Sequence, residues 1–287
     1  PLGTLGVMVV PGRIAATALV LVLLLAAAST ARTAPPAPAQ ATANVAQSAE
    51  AEPPEGPHFV DRFDKLEEAA RWAISDGWSN GAWVSNDWRR AQVQIAPEGL
   101  AITMARNPPA AEKPYSSGEI STHETYRHGY FEARLRMPRG PGLVVGVFTY
   151  TRPEGEDSWN EIDMELLGRD TRTLELTYHV AGEAKKEEIH LPFDAAEGFH
   201  TYAFEWRPDA IIWYVDNVVV HEARGAAIEH MDRSQRFYVS LWNSRELYRW
   251  VGRIDPAQAP WRLDVACVAQ AAAYVGRSLC APGAAAP

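Results

Sequence analysis

Apolar and polar residues alternate with a period of two through most of residues 130–242. The alternating runs are 130–137, 143–150, 174–180, 201–206, 210–220 and 236–242. Because successive side chains of a β-strand point to opposite faces, this period predicts strands rather than helices. Turn-forming residues lie between runs at 139–142 and 207–209 and within the run 210–220 at 216–217. Many short strands with no amphipathic helix between them predict an all-β fold, an antiparallel sandwich.

Two short segments are predicted to be helical, residues 65–73 and residues 269–274. Hydrophobic residues make up 47% of the chain and include ten Trp, which is enough for a large core. Trp206 and Trp213 occupy core positions of alternating strands, so we expect both indoles inside the sandwich.

Composition divides the chain into four parts. Residues 15–28, AATALVLVLLLAAA, follow Arg13 and precede small residues, which is the order of a secretory signal peptide, here residues 1–30. This stretch is shorter than the about 20 apolar residues of a membrane span, although a retained anchor is the alternative. Residues 31–57 are rich in Ala and Pro and predict a disordered linker. One domain at 58–268 and a C-terminal tail at 269–287 follow.

The chain has two cysteines, Cys267 and Cys280. Export to an oxidising compartment favours a disulfide between them, and two free thiols are the alternative. We expect this disulfide to pin the C-terminal tail, which has little core of its own.

The charge balance excludes one class of partner. The chain carries 27 Lys and Arg against 36 Asp and Glu, a net charge of -9, with no basic block that would neutralise phosphates. Nucleic acid is therefore excluded as a partner. We expect a secreted protein, extracellular or periplasmic, that is monomeric and is not inserted in the membrane once its signal peptide is cleaved.

Three acids occupy every second position of residues 158–168, SWNEIDMELLG. In a strand Glu161, Asp163 and Glu165 project from one face, while the apolar residues between them point into the core. Like charges this close repel, so the arrangement costs stability unless a cation, a shared proton or a reaction uses it. Glycoside hydrolysis needs two carboxyl groups at a sugar ring, one to attack and one to protonate the leaving oxygen.

Spacing alone leaves this interpretation open. Residues four apart in an extended strand have Cα atoms about 13 Å apart at ~3.3 Å per residue, whereas a retaining reaction needs carboxyl groups about 5–5.5 Å apart. A strongly curved sheet would let the side chains lean together. A Ca²⁺ site and a merely solvated strand face are the alternatives. We interpret Glu183, Glu187 and Glu188 as such a solvated face.

Residues of the kinds that bind sugars surround this motif. Flat aromatic rings contact sugar rings, and polar side chains bond to hydroxyls. The candidates are Trp159, which shares the face of Glu161, and Trp242, Trp250, Asn80, Glu119, Asn243 and His179.

Ordered blocks between residues 59 and 266 resemble glycoside hydrolase family 16. They are FVDRFD, SDGWSNG, SGEIST, HGYFEARLRM, GVFTYTRP, WNEIDMELLG, FHTYAFEWRPDAIIWYVDN and SLWN. The motif E-I-D-x-E followed by Leu-Gly is highly specific for that family. The chain is most similar to the branch that holds bacterial lichenases and the endoglycanases that trim acidic exopolysaccharides such as succinoglycan.

This resemblance implies a concanavalin-like jelly roll of two curved antiparallel sheets with an open concave cleft. It also implies a retaining mechanism, with Glu161 as nucleophile, Asp163 as its helper and Glu165 as acid/base, and it adds Tyr150 to the cleft residues. The resemblance also implies that no cofactor is required for catalysis. A structural Ca²⁺ is common in the family, and the resemblance implies Asp264 with carbonyls near Gly99 as its site.

The chain differs from the lichenase pattern at several positions, and these differences bear on which polysaccharide it cleaves. Ser121 stands where lichenases carry Arg, and Thr177 stands where they carry Asn. A cysteine pair near the N-terminal part of their domain is missing here, and residues 83–88 contain no cysteine. These differences put mixed-linkage glucan in doubt without excluding it, and the C-terminal cysteines favour the exopolysaccharide group. We expect a secreted endo-β-glycanase acting on a β-1,3-1,4-glucan or a bacterial exopolysaccharide. A transglycosylase and a non-catalytic lectin on the same fold are the alternatives.

Overall fold

The structure is a computed structural model that describes residues 57–151, 159–180 and 183–283. The expected signal peptide at 1–30 lies outside these residues, as does the expected linker except for Pro57. No helix in the described ranges is long and apolar enough to cross a membrane.

The described residues are mostly strand. In chain order the strands are β1 (Pro57–Asp61), β2 (Trp72–Ile74), β3 (Asn86–Trp88), β4 (Val93–Ala96), β5 (Gly99–Arg106), β6 (Tyr115–Ser117), β7 (Glu119–Thr122), β8 (Gly129–Arg136), β9 (Leu143–Tyr150), β10 (Asn160–Leu167), β11 (Asp170–Val180), β12 (Glu183–His190), β13 (His200–Trp206), β14 (Ala210–Val215), β15 (Val218–Arg224), β16 (Arg236–Asn243) and β17 (Trp261–Ala271). The helices are α1 (Ala226–Glu229) and α2 (Tyr248–Val251), with short 3-10 turns at Arg90–Gln92 and Pro256–Gln258.

The strands form two sheets. The ten-stranded sheet has the order β15-β14-β13-β8-β17-β5-β6-β3, with β1 paired to β17 and β4 paired to β5. The seven-stranded sheet has the order β12-β11-β10-β9-β16-β7-β2. Within the described ranges the strands pair antiparallel, except β3 with β6. The predicted all-β sandwich is confirmed.

The core lies between the two sheets and depends on the alternation within each strand. Ile162, Met164 and Leu166 of β10 are buried in it, as the period of two predicts. Trp206 and Trp213 of the other sheet are buried in the same cluster, so their expected core positions are confirmed. Full burial of an aliphatic side chain contributes about 1.5–3 kcal/mol, and the β10 acids are therefore carried by a strand with a firmly packed inner face.

The helix predicted at residues 65–73 is wrong. A single turn forms there, in which the amides of Arg71 and Trp72 donate to the Glu67 carbonyl, and β2 then begins at Trp72. The Trp72 ring is buried beside Phe59, and its Nε1 donates to Asp61 Oδ2 at 2.8 Å. Tertiary packing of this indole outweighs the local helix preference.

The helix predicted at residues 269–274 is also wrong. β17 continues to Ala271, three residues beyond the expected domain end at 268, and pairs with β1 on one side and β8 on the other. Hydrogen bonding to two neighbouring strands outweighs the helix preference of an Ala-rich segment.

The expected disulfide between Cys267 and Cys280 is confirmed, with Cα atoms 5.6 Å apart. It fixes the C-terminal tail on the face of the ten-stranded sheet opposite the core, where Tyr130, Tyr214 and Leu279 form a second apolar cluster. The Leu279 amide donates to the fully buried carboxyl of Glu132 at 2.8 Å. Burial raises the pKa of Glu132, and its hydrogen bonds to the tail offset part of that cost.

Replacing both cysteines by serine should lower the free energy of unfolding by about 3 kcal/mol, because the cross-link closes a short loop in the unfolded chain. Urea unfolding of the variant and the parent measures this difference. The activity that the family resemblance leads us to expect should be unchanged at low temperature, since the tail covers the sheet that does not carry the acids. An equal unfolding midpoint in variant and parent would contradict the role assigned to the disulfide.

Candidate active site

The three acids lie near the middle of the seven-stranded sheet, on its face opposite the core, which we call the cleft face. Directly paired residues of neighbouring antiparallel strands share a face. The register therefore gives three rows across the cleft face: Arg236, Tyr150, Glu161 and His179; then Ser121, Tyr238, Phe148, Asp163, Thr177 and Lys186; then Glu119, Ser240, Gly146, Glu165 and Glu175.

Glu161 is the acid with two hydrogen-bond donors. Trp159 Nε1 donates to its Oε2 at 2.7 Å, and the carboxyl of Asp163 is hydrogen-bonded to it as well. Burial raises the pKa of Glu161 to about 7, while both hydrogen bonds lower that pKa. These donors stabilise the charged form, so Glu161 is the acid best prepared to be an anion.

Asp163 is the most buried acid of the three, with 7% of its surface exposed. Burial raises its pKa well above the usual value, and the charges of Glu161 and Glu165 raise it further. A protonated Asp163 donates its hydrogen to Glu161. His179 Nε2 lies 3.7 Å from Asp163 Oδ2, and burial lowers the pKa of His179, so at neutral pH the ring is uncharged.

The surroundings of Glu165 differ from those of Glu161, which has two hydrogen-bond donors. No described residue donates a hydrogen bond to its carboxyl group. Burial raises its pKa to about 8; the charges of Glu161 and Glu175 add to this rise, and the charge of Lys186 opposes it. A carboxyl without donors, beside two carboxylates, keeps its proton at neutral pH.

Trp159 and His179 stack on each other, with ring centroids 4.4 Å apart and planes 8° apart. Both were expected to contact sugar. In the structure the Trp159 ring covers His179, and the indole N–H holds Glu161. Their contacts therefore position the acids, and the two rings together form one wall beside them.

An aromatic rim lies beside the third row. Trp242 contacts Trp250 of α2 at 5.8 Å between ring centroids, and Trp83 contacts Trp242 edge-on at 5.5 Å. Trp83 is 39% exposed and was missed by the sequence reasoning, because it lies in the irregular segment between β2 and β3 where no period marks a face. This rim offers flat surfaces of the kind that sugars contact.

The other expected cleft residues have different surroundings. Tyr150 pairs directly with Glu161, and its ring lies edge-on to Tyr238 at 6.2 Å. Glu119 is almost fully buried and accepts a hydrogen bond from Ser75 at 2.7 Å; burial raises its pKa to about 7. Asn80 is exposed, and its Oδ1 accepts from Trp88 Nε1 at 2.8 Å. Tyr150 and Glu119 thus lie on the cleft face, and Asn80 lies in the segment that carries Trp83.

A family model described as "Glycosyl hydrolases family 16" matches residues 80–261. The chain belongs to glycoside hydrolase family 16. The family resemblance seen in the sequence is confirmed, and so is the conclusion that the chain is a glycoside hydrolase.

Relatives of this family 16 hydrolase include bacterial glucanases. A beta-glucanase of Bacillus subtilis is 35% identical over 208 residues, which cover 72% of this chain and 84% of that protein. The Endo-1,3-1,4-beta-glycanase ExoK of Rhizobium meliloti is 33% identical over 216 residues, which cover 75% of this chain and 79% of that protein.

The fold also matches solved family structures. A prokaryotic β-1,3-1,4-glucanase (lichenase) from a mouse hindgut metagenome superposes with a TM-score of 0.69 at 29% identity, covering 75% of this chain and 99% of that one. The expected jelly-roll sandwich is thereby confirmed.

Asn243 does not belong to the cleft surface of this family 16 hydrolase, contrary to expectation. Its side chain is fully buried, and its Nδ2 donates to the Gly142 carbonyl at 2.5 Å. Its own amide donates to Asn86 Oδ1 at 3.0 Å. Asn243 follows the cleft-face residue Trp242, and in a strand the next residue points to the other face.

Asp264 does not fit the calcium site implied by the family resemblance. Its Oδ1 accepts from Arg262 Nε at 2.5 Å, and its Oδ2 accepts from Arg136 at 2.8 Å. Arg136 also contacts Glu98 at 3.1 Å. Two guanidinium groups occupy both carboxylate oxygens and would repel a divalent cation, so this position holds an ion-pair network instead.

Dialysis of the hydrolase against EDTA should leave its thermal midpoint unchanged, because arginines already neutralise Asp264. Differential scanning calorimetry before and after chelation, and after adding Ca²⁺ back, measures this. Asp264→Asn should lower the midpoint whether or not Ca²⁺ is present, since it removes the charge that both arginines contact. A midpoint that falls on chelation and recovers with Ca²⁺ in the parent but not in Asp264→Asn would contradict this assignment.

Proposed function

We propose that this chain is a secreted endo-β-1,3-1,4-glucanase that cleaves internal β-glycosidic bonds with retention of configuration. The relatives named beta-glucanase and endo-1,3-1,4-beta-glycanase, at 33–35% identity, support this substrate. These relatives favour mixed-linkage glucan as the substrate, although Ser121 and Thr177 differ from the lichenase pattern. A bacterial β-linked exopolysaccharide is the second substrate to test, and the hydrophobic segment at residues 15–28 supports secretion.

The observation that carries the mechanism is the unequal supply of hydrogen-bond donors to the two outer acids. Glu161 accepts from Trp159 and from Asp163, whereas no described residue donates to Glu165. A nucleophile must be ionised, and a general acid must be protonated. The proposal therefore assigns attack to Glu161 and proton donation to Glu165.

The reaction then proceeds in two displacements. Glu161 attacks the anomeric carbon while Glu165 gives its proton to the departing glycosidic oxygen, which leaves a glycosyl ester on Glu161. Glu165, now a carboxylate, takes a proton from water, and that water displaces Glu161. Asp163 keeps its hydrogen bond to Glu161 and limits the repulsion between the three carboxyl groups.

Glu161→Gln should reduce turnover of β-1,3-1,4-glucan by about a thousand-fold or more, because the amide cannot attack the sugar. Reducing-end release and chain-length analysis measure the loss, and proton NMR of the parent's first product should show the β anomer. Glu187→Gln, a change of the same charge at an exposed residue, is the control with full activity. Substantial activity in Glu161→Gln, or an α anomer, would contradict the mechanism.

The same measurements separate the alternative functions. Binding of glucan by the parent without any product would favour the lectin alternative, and longer products with an added acceptor would favour the transglycosylase.

The pH profile of kcat/KM should be bell-shaped with its maximum between about pH 7 and about pH 8. Activity rises as Glu161, whose pKa is raised to about 7, loses its proton. Activity falls as Glu165, whose pKa is raised to about 8, loses its own. Initial rates at low substrate across this range measure the two limbs. A maximum at about pH 4–5, where ordinary carboxyl groups titrate, would show that burial does not set these pKa values.

A further inference from the structure

Glu175 places a fourth carboxyl group on the cleft face, directly opposite Glu165. The two residues are a cross-strand pair of β10 and β11. Glu175 is only 2% exposed. Like charges in directly opposite positions destabilise a sheet, so this pair needs a neutralising contact or a protonated member.

Lys186 supplies the neutralising contact. It comes from the edge strand β12, where it pairs with Thr177, and its Nζ forms an ion pair with Glu175 Oε2. Glu183, Glu187 and Glu188, which lie on the same strand, are interpreted from the sequence as a solvated face. That interpretation is confirmed for the neighbouring glutamates, which are exposed, but the Lys186 amine turns onto the cleft face.

The same carboxylate oxygen also holds the aromatic rim. Trp250 Nε1 donates to Glu175 Oε2 at 2.7 Å, and Lys186 Nζ lies 4.9 Å from the centroid of the Trp250 ring. One buried oxygen therefore joins β11, β12 and α2. We call these residues the Glu175–Lys186–Trp250 cluster.

The strand of Glu165 and the elements of the cleft face carry many charged or titratable residues. On its own strand these are Glu161 and Asp163. The other elements of the cleft face carry Tyr150 on β9, His179 and Glu175 on β11, Lys186 and Glu188 on β12, Arg236 and Tyr238 on β16, Glu119 on β7, and Tyr248, Arg249 and Arg253 in and after α2. Apart from burial, the charges that change the pKa of Glu165 are those of Glu161, Glu175 and Lys186. The charges of Glu161 and Glu175 favour the protonated form of Glu165, and the charge of Lys186 favours its carboxylate form.

We propose that the Glu175–Lys186–Trp250 cluster is a positioning device for Glu165: its ion pair sets the pH above which the acid stops donating, and its shared oxygen fixes Trp250 as a sugar platform beside that acid. This inference rests on the proposed function and assigns residues that the three-acid motif does not include. The cluster acts through the proton of Glu165 and through the orientation of one ring.

Removing the negative charge of Glu175 and removing the positive charge of Lys186 should shift the basic limb of the kcat/KM profile in opposite directions. Glu175→Gln removes a negative charge opposite Glu165 but keeps an oxygen for the Trp250 N–H, so the basic limb of kcat/KM should move to lower pH by about one unit. Lys186→Met removes the opposing positive charge, so the same limb should move to higher pH by a similar amount. Lys186→Arg keeps the charge and should restore the parent's profile.

Replacing the indole ring of Trp250 should weaken substrate binding. Trp250→Phe keeps an aromatic face but removes the N–H that Glu175 holds, so KM should rise several-fold while kcat changes less. A purely structural role for the tryptophan would lower the thermal midpoint without this split between KM and kcat.

The experiment is a set of pH profiles on β-1,3-1,4-glucan for the parent and these variants, with near-ultraviolet circular dichroism to verify the fold. Glu188→Gln is the matched control, because it removes the same charge from an exposed residue that pairs directly with Glu175 on the same face. Its basic limb should stay with the parent. Limbs that do not move, or that move in the same direction in Glu175→Gln and Lys186→Met, would overturn the inference. A parent that cleaves no β-glycan at any pH would instead contradict the proposed function.

Discussion

Three carboxyl groups share the cleft face of a single strand, and electrostatics does not allow all of them to be ionised there. Their partners are mostly neutral: an indole N–H, a protonated aspartic acid and an uncharged imidazole. The nearby cation Lys186 is paired with Glu175 instead of with a member of the trio. The site therefore lowers its repulsion by retaining protons, and retained protons are what a general acid needs. Stability and the proposed catalytic role therefore both require that this strand retain protons on its acids.

The rest of the sandwich makes this arrangement possible. The apolar residues between the acids are locked in the core, so β10 cannot turn or slip by one residue without burying the acids. Neighbouring strands bring Tyr150, His179 and Glu175 into line by register alone. The disulfide and the tail lie on the other sheet, where they stabilise the fold without touching the cleft.

The sequence predicted the features that depend on short-range pattern. The strand period placed the acids on one face and Trp206 and Trp213 in the core, and the two cysteines pair as expected. Prediction failed where distant contacts decide the outcome. Burial of Trp72 and the two-sided pairing of β17 replace both predicted helices with strands and a turn. Asn243 and Asp264 had suitable chemistry for their expected roles, but buried backbone contacts and two arginines occupy them. Lys186 had no sequence signal, since its direction depends on a partner on the neighbouring strand.

The proposed mechanism depends on Glu161 as the ionised nucleophile and Glu165 as the protonated acid. The most direct test is mass spectrometry of the intact protein after incubation with a β-oligoglucoside that carries a good leaving group and a 2-fluoro substituent, which slows breakdown of the covalent intermediate. We expect one glycosyl group per chain, which peptide mapping should locate on Glu161. Attachment at Glu165, or steady turnover of this substrate with no covalent adduct, would contradict it.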